Sequence, residues 1–502
     1  MSQSSGSQRL SRESSLQSFD GSSMAEEHWV RPPFPVDAHP MKLSIIDQCV
    51  VRCWSSYVLC FKFGSGECSW QTYKHLCEGL SRTLCQFPFL AGRISFKDQV
   101  KGTLQLEIGP DPAVRFDYRD LSQPDDHDLP PLARYDRLRA EKFPPSALES
   151  LEVAPPPQLY PVEGSPVFIA QANFVRGGLL LFFAHSHQVA DATGTGSIMR
   201  TWSRNTAEVA RGSPPTISMG LRDASVDRSR LDEGIEDPSV PETSWATQKD
   251  KPLCRTASSW QHEPSIAQCQ KNQNPSVMWY VRPECLKLLK KLAYPPNDGN
   301  GRWVSTGDAL TAFLWRQISK ARRLHETGID KTTLYFVCDV RSRLSPPLRS
   351  DSVCNATMKL FASQSPKGFQ LELSTSLQQA AYQIRQAICG FTPARYQRWI
   401  GFLQSASTLS SLKPRERLNG GPDMVVTDHS KVSAYSFEWG PLGKIDCMRK
   451  LWWARSEPHS QCTIMPRLPD EGLEILTNFD EEINERLKGD REFCEFIQYR
   501  CQ

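Results

Sequence analysis

His185, Ser186 and His187 stand side by side, and Asp191 follows His187 by four residues, the one locally dense chemical cluster in the chain. An imidazole with an ordinary pKa of ~6.5 is mostly neutral and basic near pH 7. Such a base can take the proton of an alcohol as its oxygen attacks a carbonyl, an acceleration of roughly 10²–10⁴. A carboxylate nearby can fix the ring, or the turn that carries it.

Three readings of the cluster are open. The histidines can be ordinary strand-end residues. They can be metal ligands, because alternate strand residues point the same way and HxH pairs recur in metal hydrolases. An HxHxDH cluster would place Asp and His at 189 and 190, however, where the chain has Val189 and Ala190, and its other histidines form no second ligand pair. In the third reading His187 is a general base and Asp191 completes an HxxxD motif. Ser186 is not placed as a nucleophile, since nothing resembles a G-x-S-x-G elbow.

The cluster must be positioned by the segments around it. Pro166–Val175 and Leu179–His185 are strand-like runs joined by Arg176-Gly177-Gly178, which predicts a hairpin. GLLLFFA carries apolar residues at both parities, so both faces of that strand should be buried. The polar, glycine-bearing HSHQVADATGTG then leaves the end of a buried strand. Upstream, Leu76, Leu80 and Leu84 recur every four residues as one face of a helix over 72–86, which Pro88 stops.

Order should begin near Leu43, at LSIIDQ, after a Ser-rich and Pro-rich tail over residues 1–40 read as disordered. Residues 41–204 form a first lobe carrying His187 and Asp191. Residues 205–274 are polar and aperiodic and read as a crossover linker. Residues 275–502 form a second lobe. Within it, Ser305-Thr306-Gly307-Asp308 opens a helix, Thr332–Val340 is a strand ending in DVRSR, and 369–388 is helical. VSAYSFEWG over 432–440 reads as a strand entering a turn, GLEILTNF as a strand, and the segment from Asp480 to the end as a helix.

The composition excludes several classes. With 59 basic and 56 acidic residues, a net charge of +3 gives no electrostatic case for nucleic acid or an anionic membrane. The longest apolar run, Leu179–Ala184, is far short of the ~20 residues of a membrane span. Sixteen scattered cysteines do not make a disulfide scaffold. The N-terminus lacks the apolar stretch of a secretory signal. Its Ser and Arg content suits a transit peptide, but Glu13, Asp20, Glu26 and Glu27 argue against one. A cytoplasmic location with free thiols is expected.

The HxxxD cluster does not stand alone. LSIIDQ, LSRTLCQFPFLAGRI and HSHQVADA are followed by STGDALTAFLWRQISKAR, by CDVRSRLSPPL with Val353-Cys354-Asn355-Ala356, and by SFEWGPLGK. In this order the set resembles the BAHD-type acyltransferase family, in particular its fungal branch, which includes trichothecene and fumigaclavine acetyltransferases. The resemblance runs from about Leu43 to the C-terminal helix, the middle linker excepted.

The resemblance implies an α/β fold of two similar lobes of mixed sheet and helices, chloramphenicol acetyltransferase-like, with a channel between them. It implies an acyl-CoA-dependent O-acyltransferase, acetyl being the default group and a secondary-metabolite hydroxyl the acceptor. His187 would be the general base. Asp191 would pair with an arginine, Arg341 ahead of Arg343. Ser436, Trp439 and Gly440 fall in the family's DFGWG segment, where Ser436 replaces Asp and Glu438 replaces Gly. Trp439 could wall the channel, donate its indole N–H to an oxyanion, or pack a core. Ala192 stands where the family prefers Gly after the Asp, and Cys354 where it prefers Gly before Asn355. No metal and no tightly bound cofactor are implied, acyl-CoA serving as co-substrate, and a monomer is expected. A stand-alone condensation-type enzyme using carrier-bound acyl groups, and a non-catalytic binding protein on the same fold, are the alternatives.

Overall fold

The computed structural model describes residues 28–64, 66–122, 134–154, 163–215, 226–236, 245–247, 274–294, 302–409, 412–414, 417–418, 421–451 and 460–502. Among the described residues, two large mixed sheets each form one lobe with helices packed against them.

The first sheet has the spatial order Trp29–Val30, Val114–Leu121, Phe168–Val175, Gly178–Ser186, Trp54–Lys62, Cys447–Leu451. The expected hairpin is there, closed at Val175 opposite Gly178. Every residue of Gly178–Ser186 is buried. Its two faces serve two cores: Leu181 and Phe183 pack with Trp202, Leu76 and Leu80, and Leu180 and Phe182 pack with Leu138 and Leu148. That is why both parities of the run are apolar. Ser69–Gln86 is the helix that the leucine spacing predicts, with Leu76, Leu80 and Leu84 facing the core. Burying a leucine side chain contributes roughly 1.5–3 kcal/mol. Helix Ala192–Ala210 lies beside it and begins directly after the HxxxD loop.

The second sheet runs Thr357–Gln364, Thr332–Asp339, Met424–Asp428, Gln461–Ile464, Leu473–Thr477, Val277–Val281, Ile497–Cys501. Helix Thr306–Ala321 packs against it. Its start is a reciprocal capping box: Ser305 accepts from the Asp308 amide while Asp308 accepts from the Ser305 amide.

Several boundaries differ from the expected map. Strand pairing begins at Trp29, opposite Arg115, and His39–Lys42 pairs with Thr103–Ile108, so residues 28–40 belong to the fold. These short, proline-flanked edge strands carry little of the apolar alternation that betrays a strand. Helix Ala192–Ala210 carries the first lobe past 204. Residues 226–236 of the expected linker pack into the molecule, with Leu231 fully buried, and 245–247 pairs with 412–414. The rest of 216–273, and residues 1–27, lie outside the described residues. Residues 275–502 are not all second lobe either, since Cys447–Leu451 forms the edge of the first sheet. The expected strand over 432–440 is instead two short 3-10 turns at Ala434–Ser436 and Gly440–Leu442. The C-terminal helical segment breaks into two helices and ends in strand Ile497–Cys501.

Candidate active site

Strand Gly178–Ser186 ends one residue before His187, so the two histidines part ways. His185 still obeys the strand alternation and enters the core. Its Nδ1 lies 2.9 Å from the Ser186 carbonyl and its Nε2 2.8 Å from the Thr195 hydroxyl. A carbonyl only accepts, so Nδ1 donates to Ser186, while Nε2 shares the Thr195 hydroxyl with the Asp191 carbonyl, 2.9 Å from that hydroxyl. Burial pushes its pKa down to about 3. Both ring nitrogens are spent, which leaves His185 a packing residue. Ser186 is buried too, its hydroxyl donating to Gln188 Oε1 at 2.7 Å.

His187 sits in the loop that follows. Its amide donates to the Cys53 carbonyl at 2.9 Å, and its own carbonyl accepts from Asn355 Nδ2 at 2.8 Å. The residue is half-buried. Nδ1 is shut off from solvent, against the backbone of the loop itself. Loss of hydration lowers the imidazole pKa, and the positive charge of Lys450 lowers it further; the nearby backbone carbonyls and Asp191 oppose this. The ring is therefore neutral at neutral pH.

Asp191 makes no hydrogen bond to His187; its carboxylate is fully engaged elsewhere. Arg341 grips it with two N–H groups at 2.8 and 2.9 Å, the Gly194 amide donates at 2.9 Å as the helix cap, and the Ala356 amide donates at 3.0 Å. Of the two candidate arginines, Arg341 is the partner. Arg343 instead lies over the Phe391 ring. Arg341 also donates to the carbonyls of Ser352 and Cys354, and the Asp191 charge raises its pKa against the effect of burial. Cys354 thus contributes its backbone, while burial pushes its thiol up to about 12. The motif aspartate ties the loop to the second lobe.

Ser436, Trp439 and Gly440 are not brought to this loop. Ser436 is exposed and its hydroxyl donates to the Ser433 carbonyl. Trp439 is buried edge-on against Phe61 and Trp202, with ring centroids 5.6 and 5.5 Å away. Trp202 lies eleven residues beyond Asp191, ~16 Å along the helix at 1.5 Å per residue. Trp439 therefore packs the core of the first lobe. Gly440 has φ +65°, and a Cβ there would come within 3.1 Å of the Ala207 backbone. Only glycine fits both demands.

Five residues to which sequence reasoning gave no role join the site, two of them, Asp47 and Asn355, from segments already singled out as LSIIDQ and Val353-Cys354-Asn355-Ala356. Lys450 stands opposite Tyr57 at the edge of the first sheet, its Nζ 5.7 Å from that ring's centroid. Its charge lowers the pKa of His185, His187 and His429 alike. His429 follows strand Met424–Asp428 of the second lobe and feels the charge of His187. On the far side of the loop, Asp47 accepts from the Asn355 amide at 3.0 Å, from Asn355 Nδ2 at 2.8 Å and from Arg228 Nε at 2.9 Å. Among the described residues, no group of three or more His, Cys, Asp or Glu side chains could hold a metal ion. None of the described helices is long and apolar enough to cross a membrane.

Residues 23–444 match the model of the Transferase family. The chain is 28% identical to the acyltransferase easC of Emericella nidulans, covering 95% of this chain and 98% of that protein. It is also 28% identical to the eremophilane O-acetyltransferase ORF8 of Penicillium roqueforti, over 91% and 98% of the two chains. The crystal structure of TRI101 from F. sporotrichioides, complexed with coenzyme A and T-2, shares the fold at a TM-score of 0.73 and 22% identity, covering 92% of this chain and 99% of that one. The two-lobed α/β architecture is thus that of the chloramphenicol acetyltransferase-like enzymes, and the chain belongs to the Transferase family, as an enzyme that transfers acyl groups.

Proposed function

We propose that the chain is an acyl-CoA-dependent O-acyltransferase, most simply an O-acetyltransferase, with His187 as general base. The observation that carries this reading is the placement of His187, a partly exposed residue whose Nδ1 is shut off from solvent and whose imidazole is held neutral by burial and by Lys450. Neutral Nε2 takes the proton of the acceptor hydroxyl, and the oxygen attacks the thioester carbonyl. N–H donors hold the tetrahedral oxyanion. Collapse breaks the C–S bond, and the leaving coenzyme A thiolate takes the proton back from the imidazolium. No acyl-enzyme forms, which accords with the engagement of the Ser186 hydroxyl by Gln188.

The acceptor is a hydroxyl of a secondary metabolite. A relative named for O-acetylation of an eremophilane supports a terpenoid-type alcohol. Acyl-CoA and acceptor approach through a channel between the lobes, consistent with His187 and Asn355 meeting there from opposite halves of the sequence. The described cysteines are free, which suits the cytoplasm.

The test is incubation with acetyl-CoA and a panel of hydroxylated terpenoids. The expected result is a product one acetyl group heavier and release of free thiol, both lost in His187→Ala. Undiminished transfer by His187→Ala would overturn the assignment of the base.

A further inference from the structure

Asp191 and Arg341 lock one end of the HxxxD loop, and a second buried ion pair lies against its other side. Arg228 and Asp47 meet at 2.9 Å with side chains only 5% and 0% exposed. Arg228 comes from the middle of the sequence, where composition suggests only a connection between lobes. All three of its side-chain nitrogens donate. Nε donates to Asp47, one N–H donates to the Val189 carbonyl inside the loop at 3.0 Å, and another to the Val226 carbonyl at 3.0 Å. The guanidinium also lies over the Phe89 ring, 5.7 Å from its centroid. Asp47 in turn orients Asn355, whose Nδ2 reaches the His187 carbonyl.

We propose that Arg228 is a positioning residue for acyl transfer: through the Val189 carbonyl directly, and through Asp47 and Asn355 indirectly, it fixes the height and tilt of the His187 ring. This rests on the reading of His187 as the base. The geometry favours positioning over simple bracing because both branches of the network end on backbone carbonyls of the loop, at 187 and 189. Nδ1 is shut off from solvent against the loop's own backbone, with the carbonyls of His187 and Ala190 acting on the ring, so its placement depends on the backbone beneath it. A reacting group misplaced by about 1 Å can lose on the order of 100-fold in rate.

Three variants test this. Arg228→Gln should lower kcat roughly 10- to 100-fold while KM for acetyl-CoA changes little, measured where circular dichroism shows the protein folded. Asn355→Ala leaves the Arg228–Asp47 pair intact and cuts only the branch to His187, so it should lower kcat in the same way even if Arg228→Gln fails to fold. Arg228→Lys restores a charge beside Asp47 but cannot span to Val189 as well, so it should recover the melting temperature without recovering kcat. Recovery of kcat and melting temperature together in Arg228→Lys, or wild-type kcat in folded Asn355→Ala, would overturn the inference. An inactive His187→Ala alongside those results leaves the base reading standing, and a fully active His187→Ala brings down the base reading itself.

Discussion

Asp191 and Arg341 lie 150 residues apart in sequence and meet through two parallel N–H···O contacts of 2.8 and 2.9 Å. The fork geometry of a guanidinium against a carboxylate makes this the strong, directional form of an ion pair. Breaking a buried pair from one side costs ~3–5 kcal/mol. Asp191→Ala removes the helix cap as well, typically about 1 kcal/mol more. Urea denaturation should therefore show a large loss of stability for Asp191→Ala. An unchanged midpoint would mean that the pair does not hold the loop.

His187→Ala should behave in the opposite way. Among the described residues its ring makes no ion pair and contacts the backbone of its own loop, so truncation breaks no link between the lobes. We expect kcat to fall by roughly 10²–10⁴ with the denaturation midpoint retained. A parallel fall in stability and activity would show that His187 is structural.

The pH profile follows from the environment of His187. The base must be neutral, so kcat/KM rises with pH through the His187 pKa and then levels. Burial and Lys450 lower that pKa, with Asp191 opposing, so the half-maximum should lie below the ordinary ~6.5. Lys450→Gln removes one lowering influence and should move the half-maximum upward. A midpoint unmoved by this substitution would separate Lys450 from the base.

His185 makes a different statement about pH. Its folded pKa is depressed to about 3, against ~6.5 in the unfolded chain. Between those values the unfolded state binds the extra proton, so stability is full above pH ~6.5 and declines as pH falls toward the folded value. The slope for one such group is about 1.4 kcal/mol per pH unit. Unfolding free energies measured from pH 7 to 4 should decline less steeply in His185→Asn than in the wild type. Equal slopes would mean that His185 is protonated in the native protein.

Gly440→Ala should separate packing from chemistry. The positive φ and the approach to Ala207 should cost about 1–3 kcal/mol, while kcat per folded molecule stays at the wild-type value. A specific loss of kcat in folded Gly440→Ala would return that turn to the reaction centre.

Much of this architecture can be read from local signals. The hairpin ending at Ser186 announces itself by two apolar runs around Arg176-Gly177-Gly178, and Ser305 with Asp308 marks a helix start within four residues. The segment 432–440 misleads because Ala434, Phe437 and Trp439 are buried from turns, not from a pleated strand. His187, Asp191 and Arg341 stand out only because motif order ties them together. Arg228 carries no such mark, and Asp47 and Asn355, although inside LSIIDQ and Val353–Ala356, are not marked as its partners. Asp47 meets Arg228 across 181 residues and Asn355 across 308, so nothing in the neighbourhood of any one of them signals the others.

Strand Cys447–Leu451 has a consequence for biosynthesis. It pairs along Trp54–Lys62 from Ser56 to Cys60 and carries Lys450, whose charge lowers the pKa of His187. As the chain leaves the ribosome, the strands from Trp29 to Ser186 can assemble early, but one edge of their sheet stays open until nearly nine-tenths of the protein has been made. An unpaired edge of that kind is where nascent chains stick to one another. A truncation before residue 447 therefore removes a piece of the first lobe, and an N-terminal half expressed alone would be an aggregation-prone intermediate.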